Sequence, residues 1–362
     1  MSNFSVNDNL TTHTLYIVDE ASMISNEGLS GAVFGTGRLL DDLIQFVYSG
    51  TGCRLILMGD TAQLPPVGEE QSPALFAEAL KGYGLEVIEV DLTQVVRQVQ
   101  DSGILWNATR LRQLIAEDAC ESLPKIKVSG FADIKVVPGD ELIDTLGTCY
   151  DRDGMDETIV VCRSNKRANI YNNGIRAQIL WREDELNTGD LLMVAKNNYY
   201  WTEKSKEMDF IANGEIAVLR RMRRTRELYG FRFAEVLLAF PDYGDFELEV
   251  NLLLDTLHTD APALPKADND RLFYAVLEDY ADISMKREKM KADPHYNALQ
   301  VKYAYAVTCH KAQGGQWKNV FLDQGYMTDE YLTPDYFRWL YTAFTRATGT
   351  LYLVNYPKEQ IL

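Results

Sequence analysis

The sequence of 362 residues lacks several features, and each absence narrows the class of protein. It has no run of roughly 18 uncharged apolar residues, which a membrane span requires, and no basic-then-apolar secretory signal at its N-terminus. These two absences predict a cytoplasmic protein without a membrane partner. The five cysteines form no C-x-x-C pair, so neither a structural zinc site nor a disulfide framework is indicated.

Positive charge is also scarce. The chain has 36 lysine and arginine residues against 53 aspartate and glutamate residues, which gives a formal net charge of −17. A surface field of this sign repels nucleic acid, so a nucleic-acid partner would have to lie in a local channel. The length exceeds what one hydrophobic core usually supports, and two or three domains are expected.

Short apolar runs rich in isoleucine, leucine and valine alternate with segments long enough to hold a helix. The strand candidates are residues 15–18, 54–60, 85–90, 158–165, 305–310, 319–323 and 351–356. This alternation is typical of parallel sheets covered by helices on both faces, and residues 335–347 are predicted to form one such helix. The sequence therefore predicts an α/β fold with two parallel-sheet domains, one in each half.

The alternation is interrupted between residues 186 and 297. Short alternating strands with glycine-containing turns occupy most of this span, and its last part continues into helix-like sequence. Such a pattern is typical of a small antiparallel barrel. We therefore predict a barrel-like and helical region that is inserted into the second sheet domain.

Polar residues stand where several predicted strands end. Asp19 and Glu20 close the first strand, "GDTAQLPPVG" (59–68) follows the second, and Arg97 follows the third. In the other half, "VTCHKAQGGQW" (307–317) follows a strand and Arg346 lies late in a helix. Because ligands of open parallel sheets bind outside the carboxyl ends of the strands, these groups are expected to form a binding site.

The residue types at these strand ends suit the splitting of a nucleoside triphosphate. An aspartate can hold the hydrated Mg²⁺ that bridges two phosphates, and an adjacent carboxylate can orient or deprotonate the attacking water. A glutamine can sense the terminal phosphate. Arginines stabilise the charge on the transferred phosphoryl group, because their planar fork donates two hydrogen bonds at once.

Five short motifs, in the order of the chain, extend this interpretation. "VDEASM" resembles helicase motif II, "GDTAQLPPVG" motif III, "LTQVVRQ" the arginine-bearing motif IV, "VTCHKAQGGQW" motif V and "YTAFTRA" motif VI. The stretch "GDLLMVAKN…FIANGEIAVL" is similar to the barrel-like insertion of RecD-type helicases. Over nearly its whole length, the chain resembles a superfamily 1 DNA helicase of the RecD-like branch, which includes Pif1-like and Dda-like enzymes.

The resemblance implies two RecA-like parallel-sheet domains and an SH3-like β-barrel. Residues 1–125 would be an N-terminally incomplete first domain with motifs II to IV. Residues 126–185 and 298–362 would be the second domain with motifs V and VI, and residues 186–297 the inserted region. The implied activity is ATP-dependent movement on single-stranded or partly duplex DNA, with ATP and Mg²⁺ as cofactors. A monomer is expected, with nuclease or repair subunits as candidate partners.

Site residues are carried over position by position from the motifs. The resemblance implies Asp19 as the Mg²⁺ ligand, Glu20 as the catalytic base, Gln63 as the γ-phosphate sensor, and Arg97 and Arg346 as the arginines that meet the γ-phosphate. It implies Asp60, Gly314 and Gln316 at the nucleotide, and Thr308 and His310 at the DNA backbone. Motif V commonly has a glutamate where this chain has Gln316, a weaker acceptor, and this departure bears on nucleotide preference.

One element of the family is absent. The sequence contains no G-x-x-x-x-G-K-[ST] and no Gly-Lys dipeptide, so the backbone N–H cradle, the lysine and the hydroxyl of a phosphate loop are missing. The glycine-containing stretch 31–40 has the wrong spacing and lies after motif II. In the family, motif I precedes motif II by more than the 18 residues found before Asp19. We therefore expect a fragment that begins inside the first sheet domain and is inactive by itself.

Other interpretations stay open. The chain could be a non-catalytic DNA-binding or regulatory module derived from a helicase, or part of another phosphate-loop NTPase. Asp19 and Glu20 could cap a helix, Arg97 and Arg346 could form surface ion pairs, and His310 could be a buried imidazole with satisfied hydrogen bonds.

Two further groups of residues have alternative interpretations. The basic stretch "RRMRRTREL" (220–228), with Arg220 and Arg223, is either a track for DNA phosphates or a solvated hairpin. Tyr199, Tyr200 and Trp201 either stack on bases or pack in the barrel core.

Overall fold

The computed structural model describes residues 5–28, 36–92, 101–280 and 285–362. The predicted site residue Arg97, most of the motif "LTQVVRQ" and the first half of the stretch 31–40 lie outside the described residues.

The N-terminal region contains a two-stranded parallel sheet. Its elements are β1 (Leu15–Val18), α1 (Leu39–Ser49), β2 (Arg54–Leu57) and α2 (Ala77–Lys81). Helix α1 buries Leu40, Ile44 and Val47, which recur at helical spacing, and Leu40 and Ile44 pack against one face of the sheet. The other face is apolar and open: Ile17 is 59% exposed and its neighbour Ile56 on β2 is 42% exposed.

The predicted strand at 85–90 is wrong, because this segment forms no strand in the structure. Ile88 and Val90 are 85% and 74% exposed. The local sequence alternates as a strand does, yet a strand also requires a hydrogen-bonded neighbour. Among the described residues, β2 pairs only with β1, and its second edge is unpaired.

The rest of the described chain forms a second sheet and a barrel. The elements up to the barrel are α3 (Gly103–Ala116), β3 (Ile134–Val137), α4 (Leu142–Asp153), β4 (Thr158–Cys162) and α5 (Asn165–Gln178). The barrel region contains β5 (Leu191–Val194), β6 (Ile216–Leu228), β7 (Phe231–Phe240), β8 (Phe246–Leu253), α6 (Lys266–Asp279), α7 (Lys286–Lys291) and β9 (Leu299–Tyr303). The last elements are β10 (Ala306–Thr308), α8 (Cys309–Ala312), β11 (Trp317–Asp323), α9 (Pro334–Phe344) and β12 (Ala347–Val354).

The second sheet has five parallel strands in the order β10-β4-β11-β12-β3. Every residue of β4 is buried, as expected for a parallel strand covered on both faces. The predicted helix at 335–347 is observed as α9, where the Thr333 side chain caps the N-terminus by accepting from the Tyr336 amide. The sequence-based prediction of a second parallel sheet is confirmed.

Strands β5 to β9 close into a small barrel in the order of the chain. Neighbouring strands are antiparallel except β8 and β9, which pair in parallel. The α/β fold with an inserted barrel is therefore confirmed. Two observations bear on the predicted domain bounds: β9 lies beyond residue 297, and α3, placed in the first domain by the sequence, packs against α9. The division into domains stays a prediction.

Two sequence-based expectations concern the cysteines and membrane spans. All five cysteines are buried free thiols. Within the described ranges, no helix is both long and apolar enough to cross a membrane.

Candidate functional site

The loops that follow β1 and β2 lie side by side. The amide of Ala21 donates to the Met58 carbonyl at 2.8 Å, and the Ser72 hydroxyl donates to the Ser22 carbonyl at 2.9 Å. Gly59 is required at this contact, because a Cβ there would lie 2.9 Å from the Ser22 nitrogen. Motifs II and III therefore form one continuous surface at the carboxyl end of the first sheet.

Glu20 adopts a left-handed backbone conformation, with φ 51° and ψ 35°. This conformation is uncommon for a residue other than glycine and occurs often at functional sites. Its amide donates to Asp19 Oδ1 at 2.8 Å, while its own side chain forms no capping bond to the short helix that follows. The capping interpretation of Glu20 is therefore wrong. Its carboxylate has no hydrogen-bond partner within the part of the chain that the structure describes.

The residues at motif II fit one end of a Mg²⁺-nucleotide. Asp19 is exposed, and its Oδ2 accepts no hydrogen bond from the described residues. The described residues contain no group of three or more His, Cys, Asp or Glu that could hold a metal alone. Mg²⁺ commonly binds one or two carboxylates and takes its other ligands from water and substrate phosphates, so an exposed carboxylate such as Asp19 is a suitable ligand. The residues that would hold the phosphates are missing, since the sequence has no phosphate loop.

The loop after β2 also contacts helix α9. The Tyr341 hydroxyl donates to Asp60 Oδ2 at 2.5 Å, and burial together with the Asp60 carboxylate raises the pKa of Tyr341. The Leu64 amide donates to the Thr342 hydroxyl at 2.9 Å, and Gln313 Nε2 donates to the Leu64 carbonyl at 2.9 Å. These contacts join motif III to motifs V and VI.

Gln63 lies inside this junction. It is 8% exposed, and its Oε1 is buried without a hydrogen-bond partner. A buried unpaired acceptor is rare in folded proteins and costs free energy, so its presence requires an explanation. A ligand or water that donates to this oxygen would remove the cost.

Arg346 lies two residues after the end of helix α9 and is only 4% exposed. Its guanidinium donates to the carbonyls of Thr342 (3.0 Å) and Gly315 (3.3 Å) and to the Thr345 hydroxyl (3.0 Å). All three acceptors are neutral, and no carboxylate of the described residues pairs with it. The surface ion-pair interpretation is therefore wrong for Arg346. Its charge remains free to attract an anion.

The motif V residues follow β10. Thr308 is half-buried and precedes α8 without capping it through its side chain. His310 is exposed, so its interpretation as a buried imidazole is wrong. Partial desolvation by the surrounding protein nevertheless lowers the pKa of His310. Gly314 has a positive φ of 78°, which favours glycine, and Gln316 is exposed.

The basic stretch forms the outer part of β6. Arg220 pairs with Asp245 at 3.1 Å, Arg223 pairs with Glu249, and Arg224 pairs with Glu235 at 2.7 Å. The neighbouring carboxylates therefore offset much of the positive charge, and the role of Arg220 and Arg223 in DNA binding stays a prediction.

The aromatic residues before β6 make different contacts. Tyr199 stacks on Phe210 with ring centroids 5.0 Å apart, whereas the Trp201 indole donates to the Asn297 carbonyl at 2.8 Å. Trp201 is partly buried against the core, as the packing interpretation predicted.

The sequence interpretation missed the role of two residues at the junction. Tyr341 and Thr342 hold Asp60 and Leu64 across it, and both stand at the start of the "YTAFTRA" stretch. Their hydroxyl groups, on side chains that are buried at the end of helix α9, were the available signal. The structure thus brings together Asp60, Gln63 and the segment before Arg346.

Comparison with known proteins gives one family match and several relatives. Residues 303–354 match the family described as UvrD-like helicase C-terminal domain. An uncharacterized protein of Acanthamoeba polyphaga mimivirus is 22% identical over 404 residues, which cover 93% of this chain and 74% of that protein.

Solved structures of Pif1 helicases are also similar. The Bacteroides Pif1 helicase in complex with ADP-AlF3 and ssDNA has 15% identity and a TM-score of 0.50, covering 96% of this chain and 72% of that chain. The Pif1 helicase from Candida albicans has 16% identity and a TM-score of 0.40, covering 96% and 72%. The Bacteroides similarity shows that this chain has the fold of a Pif1 helicase.

Proposed function

We propose, from the confirmed resemblance to superfamily 1 helicases of the Pif1-like branch, that this chain is part of an ATP-dependent DNA helicase or translocase of the RecD-like type. It would couple ATP hydrolysis to movement on single-stranded DNA. The observation that carries this proposal is Arg346, a buried cation with only neutral partners at the junction between the two sheets. An arginine held this way suits the charge that develops on a transferred phosphoryl group.

The proposed roles follow the motifs. Asp19 would bind Mg²⁺, Glu20 would activate water, Gln63 would sense the γ-phosphate, and Arg97 and Arg346 would stabilise it. Asp60, Gly314 and Gln316 would lie at the nucleotide. Thr308 and His310 would contact the DNA, and Arg220 and Arg223, which already pair with carboxylates, would add a weaker contact. The roles of Glu20 and Gln63 are supported by the Glu20 carboxylate and the Gln63 oxygen, which have no hydrogen-bond partner among the described residues.

The proposed hydrolysis requires a phosphate loop from outside these 362 residues, since their sequence contains none. We propose that it arrives on a strand that pairs with the second edge of β2. Three observations support this: that edge is unpaired among the described residues, the outer face at Ile17 and Ile56 is apolar and exposed, and the strand-like segment 85–90 pairs with no described strand. Parallel sheets are normally buried on both faces, so an added segment would complete this one.

The alternative is a non-catalytic DNA-binding or regulatory module, which the missing phosphate loop favours. A module without hydrolysis would have no use for the left-handed Glu20 or for an uncompensated Arg346, whose burial is costly. We therefore prefer the helicase. We further propose that it acts in the cytoplasm as a monomer, with nuclease or repair subunits as partners.

The two functions are separated by the coding sequence before Met1. If it encodes a strand followed by G-x-x-x-x-G-K-[ST], the extended protein should hydrolyse ATP when single-stranded DNA is added, and Glu20→Gln should abolish that hydrolysis. A stop codon immediately before Met1, or an extended protein that binds single-stranded DNA without hydrolysing ATP, would favour the binding module.

A further inference from the structure

A small cavity lies where the barrel joins the second sheet. The chain passes from β9 to β10 at this place, and the first turns of α5 form the opposite side. The polar residues of its lining include Asn165, Asn169, Lys302, Thr308 and Lys311. Lys302 belongs to barrel strand β9, whereas Thr308 and Lys311 belong to motif V, so both the barrel and the second sheet region line the cavity.

The two lysines have hydrogen-bonding capacity to spare. Lys302 Nζ donates to the carbonyls of Thr256 (3.3 Å) and Thr259 (2.5 Å), and Lys311 Nζ donates to Asn213 Oδ1. An ammonium group has three donors, so Lys302 retains one and Lys311 retains two. All of the acceptors are neutral. Neither lysine forms an ion pair with a carboxylate of the described residues.

Electrostatics distinguishes these lysines from the surface cations of the barrel. Burial lowers the pKa of Lys302 to about 8, with a smaller contribution from the charge of Lys311, while Asp260 acts in the opposite direction. Burial also lowers the pKa of Lys311. Two desolvated ammonium groups without a carboxylate form a costly arrangement, which a bound anion would relieve.

We infer that this cavity binds one phosphodiester of a single-stranded nucleic acid, held by Lys302 of the barrel and Lys311 of the second sheet together. This inference rests on the proposed function. Thr308, which motif V predicts to face the DNA backbone, lines the same cavity and thereby places the strand beside both lysines. The barrel thus contributes directly to the nucleic-acid track.

The first test measures the binding of a fluorescein-labelled oligothymidylate to the full chain by anisotropy at several salt concentrations. Lys302→Gln and Lys311→Gln should each weaken binding by about tenfold, as expected for one lost charge-assisted hydrogen bond. Each should also reduce the slope of log affinity against log salt by about 0.7, the value for one phosphate on a single strand. Lys358→Gln, at an exposed lysine far along the chain, is the matched control and should leave both quantities unchanged.

The second test needs no variant and therefore does not depend on variant folding. The wild-type chain is treated with an amine-reactive reagent, and the modification of each lysine is read by mass spectrometry. Oligothymidylate should protect Lys302 and Lys311 but leave Lys358 reactive. A methylphosphonate oligomer, which keeps the bases and removes the backbone charge, should protect none of them.

The outcomes separate this inference from the proposed function. If the wild-type chain binds oligothymidylate while Lys302 stays equally reactive and Lys302→Gln binds as well as wild type, the cavity assignment is overturned and the helicase proposal stands. If inorganic phosphate protects Lys302 as well as the oligonucleotide does at equal concentration, the site takes free anions and the assignment to a strand is overturned. If the wild-type chain binds no oligonucleotide, both proposals fail.

Discussion

The two parallel sheets of this chain differ in how completely they are covered. In the five-stranded sheet Val160 is 0% exposed, and helices pack against it on both faces. In the two-stranded sheet Ile17, also at a strand centre, is 59% exposed. The difference indicates that the second sheet contributes more buried apolar surface to stability than the first, whose outer face at Ile17 and Ile56 is exposed.

The carboxylates of the two halves differ in a similar way, although the second half also contains buried hydroxyls without partners, at Tyr150, Thr328 and Tyr356. In the second half, the buried carboxylates of Asp190 and Asp323 each accept hydrogen bonds from at least two side chains. At the end of the first sheet, the Glu20 carboxylate and the Gln63 oxygen lack partners among the described residues. Satisfied groups stabilise a fold, and unsatisfied groups at a junction are the ones that a ligand can use.

The largest effect is expected at Asp190, which is 0% exposed. Its carboxylate accepts from Arg176 Nε at 3.1 Å, Arg182 Nη1 at 2.7 Å and the Tyr305 hydroxyl at 2.9 Å. Asp190→Asn leaves the buried Arg176 and the half-buried Arg182 uncompensated and should lower the free energy of unfolding by about 3–5 kcal/mol. Urea denaturation measures this. The control Asp245→Asn, at an exposed pair with Arg220, should cost only about 0–1 kcal/mol; equal costs would contradict the account.

A second pair of substitutions compares the two sheets directly. Leu322→Ala in β11, where the side chain is fully buried, should cost about 2–5 kcal/mol in the free energy of unfolding. Ile17→Ala in β1 should change it by no more than about 0.5 kcal/mol, because the side chain is mostly exposed. Denaturation followed by circular dichroism checks both. A cost at Ile17 similar to that at Leu322 would mean that the first sheet is already complete.

The junction between the regions gives an intermediate effect. Tyr341→Phe removes the hydrogen bond to Asp60 and should cost about 1.5–3 kcal/mol, the range for a bond to a charged group. The variant should also make the chain between the sheets more sensitive to limited proteolysis. Tyr274→Phe, at a tyrosine that is 62% exposed, is the control. Indistinguishable digestion of the two variants would show that the Asp60 contact does not hold the regions together.

The smallest effect is expected on the outer face of β6. The double substitution Arg220→Gln with Arg223→Gln should lower the salt slope of oligonucleotide binding by less than the roughly 0.7 of one full phosphate contact, because nearby carboxylates already pair with both arginines. Anisotropy titrations check this. A drop of twice that contact value would establish the stretch as a phosphate track.

Local sequence patterns were sufficient for most of the fold. The apolar runs of β1, β4 and β11 and the amphipathic pattern of α9 are encoded within each segment, so their existence could be predicted. The failed strand at 85–90 shows the limit of such reasoning. Its alternation is local, whereas strand formation also depends on a neighbour that the described residues do not supply.

Some residues of the candidate sites could likewise be predicted from local sequence, and others could not. Glu20 and Arg346 could be found from short motifs, and the structure adds their backbone conformation and their unpaired charge. Lys302 and Asp190 could not be found, because their environment is assembled from segments far apart in the sequence. The contacts of Lys302 with Thr256 and Thr259, for example, exist only after the barrel has closed.

The most direct test of the central claim is ATP hydrolysis by these 362 residues with and without oligothymidylate, beside the Glu20→Gln variant. We predict that the wild-type chain hydrolyses ATP no faster than the variant under either condition, because the phosphate cradle is absent. DNA-stimulated hydrolysis that disappears in Glu20→Gln would contradict the claim that the phosphate loop must come from outside these residues.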